Sequence, residues 1–319
     1  MGTETSWWPA TTLEVLKMRA AMTAAARRFF NQRGVMEVDT PVLGAATASD
    51  VHIASLHTHV SLAAPESFYL QTSPESAMKR LLAAGSGPVF QFARAFRDGE
   101  AGPMHNPEFL LLEWYRPGFD LGALMEEVAA LVAALLESEV PVERVSYRQA
   151  FMTYAGIDPF TASLGDIAEL CRRSGFRQAL EDRSAGLDLL LTRHVQPALS
   201  PGCVFLYHFP ADQAALARIR PGDPPLAERF ELFLDGVELA NGYQELTDAR
   251  EQRSRIDADR ACRRERSLPQ VPADTRLLEA LQHGLPECAG VALGFDRLLA
   301  LNAGIDDIRR VMPFPIDRA

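Results

Sequence analysis

No run of about 18 uncharged apolar residues occurs in the 319-residue sequence, so no membrane-spanning helix is expected. Residues 1–9 carry no basic region followed by an apolar core, and a secretory signal is not expected there. Cysteine is scarce. Cys171, Cys203, Cys262 and Cys288 stand far apart with no Cys-x-x-Cys pair, which argues against a zinc site and for thiols kept reduced in a cytoplasm. Positive charge is also in deficit: 32 Lys and Arg against 42 Asp and Glu leave a formal net charge of −10. Long nucleic acid is held through phosphate contacts, so this balance weighs against a stable complex with RNA. The densest basic stretch, residues 250–266, holds Arg253, Arg255, Arg260, Arg263 and Arg264. Glu251, Asp257, Asp259 and Glu265 interleave with them, as on a solvated helix laced with ion pairs. His52, His57 and His59 are closely spaced in an extended segment without supporting acids, and no metal is expected on them.

What is present is apolar patterning without repeats. Hydrophobic residues make up 47% of the chain, enough for a large core. Residues 13–32 have helical spacing, with Gly34 placed as a C-terminal cap. Residues 35–43 read as extended and stop at Pro41. Residues 68–71 read as a strand, after which Thr72 or Ser73 can cap a helix carrying Pro74 and Glu75 in its first turn. Residues 90–96 and 110–115 read as antiparallel strands, and 121–136 as a helix. Residues 141–225 predict mixed helices with one strand at 203–209. Residues 230–239 predict a strand, 291–294 a short buried strand, and 296–303 a helix. Elements that do not alternate strictly predict an α+β fold, a mostly antiparallel sheet flanked by helices.

Two segments carry most of the chemistry. Phe96-Arg97-Asp98-Gly99-Glu100 leads into His105-Asn106-Pro107-Glu108-Phe109, and Gly290-Val291-Ala292-Leu293-Gly294-Phe295-Asp296-Arg297 follows near the C-terminus. An arginine leaving one strand, a polar-aromatic return strand and a distant glycine-rich run ending in Asp-Arg resemble motifs 2 and 3 of class II aminoacyl-tRNA synthetases. The motif 2-like region spans about 88–116 and the motif 3-like region about 288–303. The helix–strand–proline at about 25–43 is similar to motif 1, the dimer-forming element. The flanking segments narrow the resemblance to the lysyl-tRNA synthetase branch, and within it to short paralogs that ligate (R)-β-lysine to elongation factor P. Only about 35 residues precede the motif 1-like segment, too few for an anticodon-reading OB barrel. A single catalytic domain over 1–319, a homodimer and no stable tRNA binding are therefore expected.

The resemblance implies an ATP site and a pocket for a lysine-like amino acid. Attack of a carboxylate on the α-phosphate spreads negative charge over phosphoryl oxygens, and fixed cations do most of the work. Arg97 is the candidate for the α-phosphate and the substrate carboxylate, and Arg297 for the γ-phosphate, because a guanidinium grips two oxygens at once. Phe109 is the expected shelf for adenine, with Asn106, Leu239 and Gly294 also implied at the nucleotide. The usual motif 2 pattern has Glu two residues after the arginine. Here Asp98 and Gly99 intervene before Glu100, so adenine contact falls to backbone groups or Glu100. Glu238 and Glu245 flank Leu239-Ala240-Asn241-Gly242-Tyr243-Gln244, and an Asn241-Gly242 hairpin would set them face to face. Two carboxylates beside a polyphosphate suit Mg²⁺, as the matching glutamates do in the family it resembles.

The expected amino-acid pocket is Ser73, Pro74 and Glu75 with Glu113, Tyr115 and Glu245. A substrate with two ammonium groups needs separated carboxylates: Glu75 for the ammonium nearer the carboxyl, Glu113 with Tyr115 for the distal one. Ala292 stands where lysyl-tRNA synthetases carry glycine. Its methyl is expected to disfavour an α-amine by roughly 1–3 kcal/mol and so to admit a β-amino acid. Two rival readings stay open: an enzyme charging a tRNA or a free amine, and a non-catalytic regulatory module. The retained Arg97, Glu238, Glu245 and Arg297 weigh against the second.

Overall fold

The structure, a computed structural model, describes residues 7–61 and 67–319. In chain order it begins with α1 (Leu13–Asn31), β1 (Met36–Glu37), β2 (Leu43–Gly44), β3 (His57–His59), β4 (Ser67–Leu70) and α2 (Glu75–Ala83). Next come β5 (Val89–Phe96), β6 (Glu108–Pro117), α3 (Leu121–Leu136), β7 (Val142–Ser146), α4 (Tyr147–Ala150), α5 (Leu164–Arg173) and α6 (Arg183–Leu190). The remainder is β8 (Cys203–Pro210), β9 (Ile219–Arg220), β10 (Leu226–Leu234), β11 (Val237–Gln244), α7 (Ala249–Glu265), α8 (Thr275–Gly284), β12 (Cys288–Gly294) and α9 (Phe295–Asn302). None of these helices is long and apolar enough to cross a membrane. The chain divides into two compact units. One holds the chain up to Gly118, Ala134–Glu137 and Thr247–Ala319; the other holds Phe119–Ala133 and Ser138–Leu246.

In the first unit the strands lie in the order β1-β5-β6-β12, with β1 parallel to β5 and the other pairs antiparallel. One face of this sheet is the core. Phe30 of α1 stacks on Phe90 with ring centroids 4.4 Å apart and meets Trp114 edge-on at 5.3 Å. Phe92 meets Phe295 of α9 edge-on at 5.2 Å. α1 starts as its sequence dictates, with the Thr12 hydroxyl accepting from the Val15 N–H. It ends at Gly34, whose φ of +66° is the left-handed geometry that glycine tolerates. β2, β4 and β3 form a separate antiparallel sheet, and His57 and His59 are exposed on it. α7 is less solvated than its composition implies: the Arg263 guanidinium is buried and donates to the backbone oxygens of Asp50 and Pro269.

In the second unit β11, β10, β8 and β7 lie in that order, with β9 on β10. β7 runs parallel to β8, and the other pairs are antiparallel. Both units are therefore α+β. Helical turns between β7 and β8 bury Tyr147, Phe151, Leu187, Leu190 and Val195 against Leu206 and Phe209. Three strands occupy residues 141–225 where one was expected. β7 was hidden by its charged composition, Val-Glu-Arg-Val-Ser, and β9 by its length of two residues.

The strand predicted over 230–239 is two strands, and the hairpin turn considered at Asn241-Gly242 does not form. The turn is at Asp235-Gly236, both with positive φ (+50° and +76°), the backbone a two-residue hairpin requires. Gly242 lies mid-strand for a different reason. It sits directly across from Phe230, and a Cβ there would come within 2.3 Å of the phenyl ring. Gly242→Ala is expected to cost about 1–3 kcal/mol through overpacking, read as a lowered midpoint in denaturant unfolding. An unchanged midpoint would show that Phe230 moves freely.

Candidate active site

The sheet face opposite the Phe90–Trp114 core is laid out in rows by register. Val89, Tyr115 and Gly290 form one row across β5, β6 and β12. Gln91, Glu113 and Ala292 form the next, followed by Ala93, Leu111 and Gly294, then Ala95 and Phe109. Side chains directly opposite in register share a face, and alternate residues along a strand keep it. Arg97 follows two residues after Ala95, and its guanidinium carbon lies 5.1 Å from the Phe109 ring centroid. The predicted adenine shelf and the predicted phosphate ligand are thus neighbours. The predicted ammonium ligands stand four strand residues away, roughly 13 Å at the rise of a β-strand.

Arg97 leaves β5 with its N–H bonded to the Pro107 oxygen at 2.9 Å. Its Nε is buried and has no hydrogen-bond partner among the described residues, and Glu100 lies 3.6 Å from its Nη1. Gly99, at φ +77°, turns the chain so that the displaced Glu100 comes back onto Arg97. The Asp98 N–H donates to the Ala54 oxygen at 2.8 Å. The loop tip closes through paired backbone hydrogen bonds between Gly102 and His105, 3.0 and 3.2 Å. Arg297 reaches this tip. Its Nε donates to the Met104 oxygen at 3.2 Å, and an Nη2 lies 2.9 Å from His105 Nε2. A guanidinium only donates, so His105 accepts on Nε2 and carries its proton on Nδ1. Asn106 is buried, donating to the Glu108 oxygen at 2.6 Å and accepting from the Ile316 N–H at 3.2 Å. Gly294 caps the N-terminus of α9, which presents Asp296 and Arg297 in its first turn.

At the other end, Glu113 is 2% exposed and its Oε1 accepts the Tyr115 hydroxyl at 2.7 Å. α2 closes this end, where Met78 and Leu82 pack with Tyr115 and Val89. Ser73 Oγ accepts from the Glu75 N–H at 3.1 Å, so Ser73 rather than Thr72 supplies the turn that opens α2. Pro74 stands at the cap position itself. Glu75 Oε1 accepts at 2.5 Å from Lys79, a lysine 2% exposed. That lysine was not anticipated, although Glu and Lys four apart on a helix are a legible pair. Gln91 was also passed over, although a lone polar residue between Phe90 and Phe92 is a visible break in an apolar strand.

In the second unit Glu238 and Glu245 both belong to the β11 edge of the hairpin, seven residues apart. An odd spacing would put them on opposite faces. A β-bulge restores the parity: Leu232 pairs with Ala240 and Phe233 with Glu238, which leaves Leu239 as the extra residue. Glu238 therefore shares a face with Asn241, Tyr243 and Glu245, and with Arg229 and Glu231 of β10. The bulge is also where backbone groups of β11 leave the ladder. On this face Arg229 is half-buried. It donates to Glu231, to Asn241 Oδ1 at 3.2 Å and to the Gln213 oxygen at 2.8 Å, with Phe209 4.3 Å beneath it. The Asn241 amide donates to the Tyr243 hydroxyl at 3.0 Å.

Glu231 is the carboxylate that the sequence reading missed. Burial, opposed by Arg229 and aided by the charges of Glu238 and Asp188, pushes its pKa up to about 7. A buried carboxylate that faces a second one is a fitting environment for a divalent cation. Mg²⁺ needs only one or two carboxylates when phosphates complete its shell. No cluster of three or more potential His, Cys, Asp or Glu ligands occurs among the described residues.

Comparison with known proteins bears on both units. The model of the class II tRNA synthetase family (D, K and N) matches residues 9–318. An elongation factor P–(R)-β-lysine ligase of Klebsiella pneumoniae (strain 342) is 47% identical over 326 residues, covering 100% of both chains. The ligase of the same name from Yersinia enterocolitica is 46% identical with the same coverage. That of Pseudoalteromonas translucida is 47% identical over 321 residues, 98% of each chain. With a family model over nearly its whole length and relatives this similar from end to end, the chain belongs to the class II tRNA synthetases of the D, K and N group, and within them to the family of elongation factor P–(R)-β-lysine ligases.

Proposed function

We propose that the chain activates (R)-β-lysine with ATP and transfers it to a lysine ε-amine of elongation factor P. The observation that carries this reading is the order of groups along the first-unit sheet face. A guanidinium with a buried, unsatisfied N–H beside an aromatic ring stands at one end, and a buried carboxylate–tyrosine pair at the other. An aminoacyl-adenylate has the same polarity: adenine and phosphate at one end, an ammonium group at the other.

In the first step a carboxylate oxygen of β-lysine attacks the α-phosphorus, the bond to the bridging oxygen breaks, and pyrophosphate leaves. Arg97 holds the incoming carboxylate and the α-phosphate together and stabilises the charge that builds on the phosphoryl oxygens. Arg297, steadied by Met104 and His105, holds the γ-phosphate end. Phe109 carries the adenine, and Asn106, Asp98, Gly99 and Glu100 shape the loop around it. Glu238 with Glu231 or Glu245 would hold Mg²⁺, which supplies charge neutralisation on the polyphosphate. In the second step the neutral ε-amine attacks the acyl carbon, AMP leaves, and the amine loses a proton as the amide forms. No enzyme nucleophile takes part.

Glu75, with Ser73 and Pro74 shaping its turn, receives one ammonium group, and Glu113 with Tyr115 receives the other. Ala292 lies in the row of Glu113, so its methyl narrows the pocket at that carboxylate. A homodimer through residues 25–43 completes the proposal.

ATP–pyrophosphate exchange tests it directly. (R)-β-lysine should support exchange better than α-lysine, and Arg97→Ala should lower it by about 10²–10³-fold without altering the circular dichroism spectrum. Exchange with no amino acid at all would overturn the reading. In the same assay Ala292→Gly should raise activity with α-lysine by roughly tenfold or more; an unchanged preference would remove Ala292 from the specificity argument.

A further inference from the structure

The backbone around Arg97 is held on two edges. On one, the Arg97 N–H donates to the Pro107 oxygen. On the other, the flanking N–H groups point away from β6, as the alternation of an antiparallel ladder requires. Phe96 donates to the Gln71 oxygen at 2.9 Å, and Asp98 to the Ala54 oxygen at 2.8 Å. Gln71 directly follows β4, and its own N–H is bonded to the Val42 oxygen at 2.9 Å. Ala54 lies instead in the irregular stretch between β2 and β3. Such a stretch keeps one conformation only where contacts offset its conformational entropy.

Those contacts come from α7. Arg263, 3% exposed, donates from Nη1 to the Asp50 oxygen at 2.7 Å and, at a longer 3.5 Å, to the Ile53 oxygen. Its Nε donates to the Pro269 oxygen at 2.9 Å. One turn earlier on the helix, Asp259 Oδ2 accepts the Ser49 hydroxyl at 2.6 Å. The stretch also closes on itself, with the Thr47 and Ser55 hydroxyls 2.6 Å apart and the His52 N–H on Asp50 Oδ1 at 2.8 Å. Burying a cation costs desolvation, and a planar guanidinium offsets that cost by reaching several carbonyls at once. Arg255 of the same helix, by contrast, pairs with Glu251 one turn away.

We propose that Arg263 is a positioning residue for Arg97: by holding Asp50 and Ile53 it fixes Ala54, whose carbonyl fixes the Asp98 N–H and the backbone from which the Arg97 guanidinium is aimed. The relay is short. It runs from Arg263 to Ile53, along the chain to Ala54, across one hydrogen bond to Asp98, and back one residue to Arg97. Placement matters at Arg97 because phosphoryl transfer is helped mainly by fixed charge, and a displacement of about 1 Å costs on the order of 10²-fold in rate.

The inference rests on the proposed amino-acid activation, and the test keeps the two apart. ATP–pyrophosphate exchange with (R)-β-lysine is measured for wild type, Arg263→Met, Arg263→Lys and Ser49→Ala, each also in an Arg97→Ala background. Circular dichroism gives the folded fraction of every variant. Arg263→Met should lower kcat about tenfold or more, with the KM values for ATP and (R)-β-lysine within about threefold of wild type. Arg263→Lys keeps the charge without the fork and should recover only part of that loss. Ser49→Ala loosens the same stretch without removing a buried cation and should lower kcat roughly threefold. In the Arg97→Ala background each of these substitutions should change kcat by less than about twofold, because the group they position is gone. Effects of equal size in both backgrounds overturn the inference, as does a loss of folded protein with kcat per folded molecule unchanged. If Arg263→Met does not fold, Arg263→Lys and Ser49→Ala decide by the same comparison. Absence of exchange in wild type would instead overturn the proposed function, and this inference with it.

Discussion

Asp296 is the point on which the first unit's site depends. Its carboxylate is 2% exposed and accepts from two elements remote in sequence: the Arg19 guanidinium of α1 and the Leu110 N–H of β6, the latter at 2.7 Å. Arg19 also donates to the Val311 oxygen at 3.0 Å. One buried acid thus joins the helix of the motif 1-like segment, the return strand of motif 2 and the helix of motif 3. A buried carboxylate is tolerated only when charge and lone pairs are both satisfied, so the three elements can pack in few other ways. The residues on either side inherit that placement. Phe295 is driven into the core against Phe92, and Arg297 is aimed at the loop that carries Met104 and His105.

From that anchoring, the sheet acts as a ruler. The alternation of faces sends Phe90, Phe92, Trp114 and Leu112 into the core and Gln91, Glu113, Tyr115 and Phe109 to the other side. Hydrophobic burial on one face therefore determines which polar groups converge on the other. The two ends of the ruler differ chemically. The Arg97–Phe109 end offers a cation with a spare N–H and a π-face; the Glu113–Tyr115 end offers a carboxylate held by a hydroxyl and covered by the apolar side of α2. Lys79, buried beneath Glu75, gives that acid a fixed partner on one oxygen.

The second unit solves a different problem, the gathering of acids. Glu231, Glu238 and Glu245 share a face, and like charges so arranged oppose folding unless something compensates. Arg229 supplies part of the compensation, held by Glu231, Asn241 and the Gln213 oxygen and supported by Phe209. Burial, more than the neighbouring charges, holds the Glu231 carboxyl above the usual carboxylate range. This gathering of carboxylates is the feature on which the proposed Mg²⁺ site rests.

Much of this was legible in the residues. Helix α3 over 121–136, the strands around the motif 2 loop and the glycine-rich run ending in Asp296-Arg297 all follow from local patterning, because periodicity and caps are short-range properties. The elements that escaped were those whose signal is not local. β7 is charged along most of its length and is a strand only because β8 lies beside it. Gly242 looks like a turn residue and is instead the space that the Phe230 ring fills. The parity of Glu238 and Glu245 depends on a single bulged residue, Leu239, and no count along the sequence reveals that. The sequence by itself determined which chemical groups the protein carries, their order, and the family they signal. Tertiary structure alone decided which of them share a row: Glu113 with Gln91 and Ala292, Glu231 with Glu238. Register is set by hydrogen bonds and packing between strands far apart in the chain, and a shift of one residue would turn every one of those side chains to the opposite face.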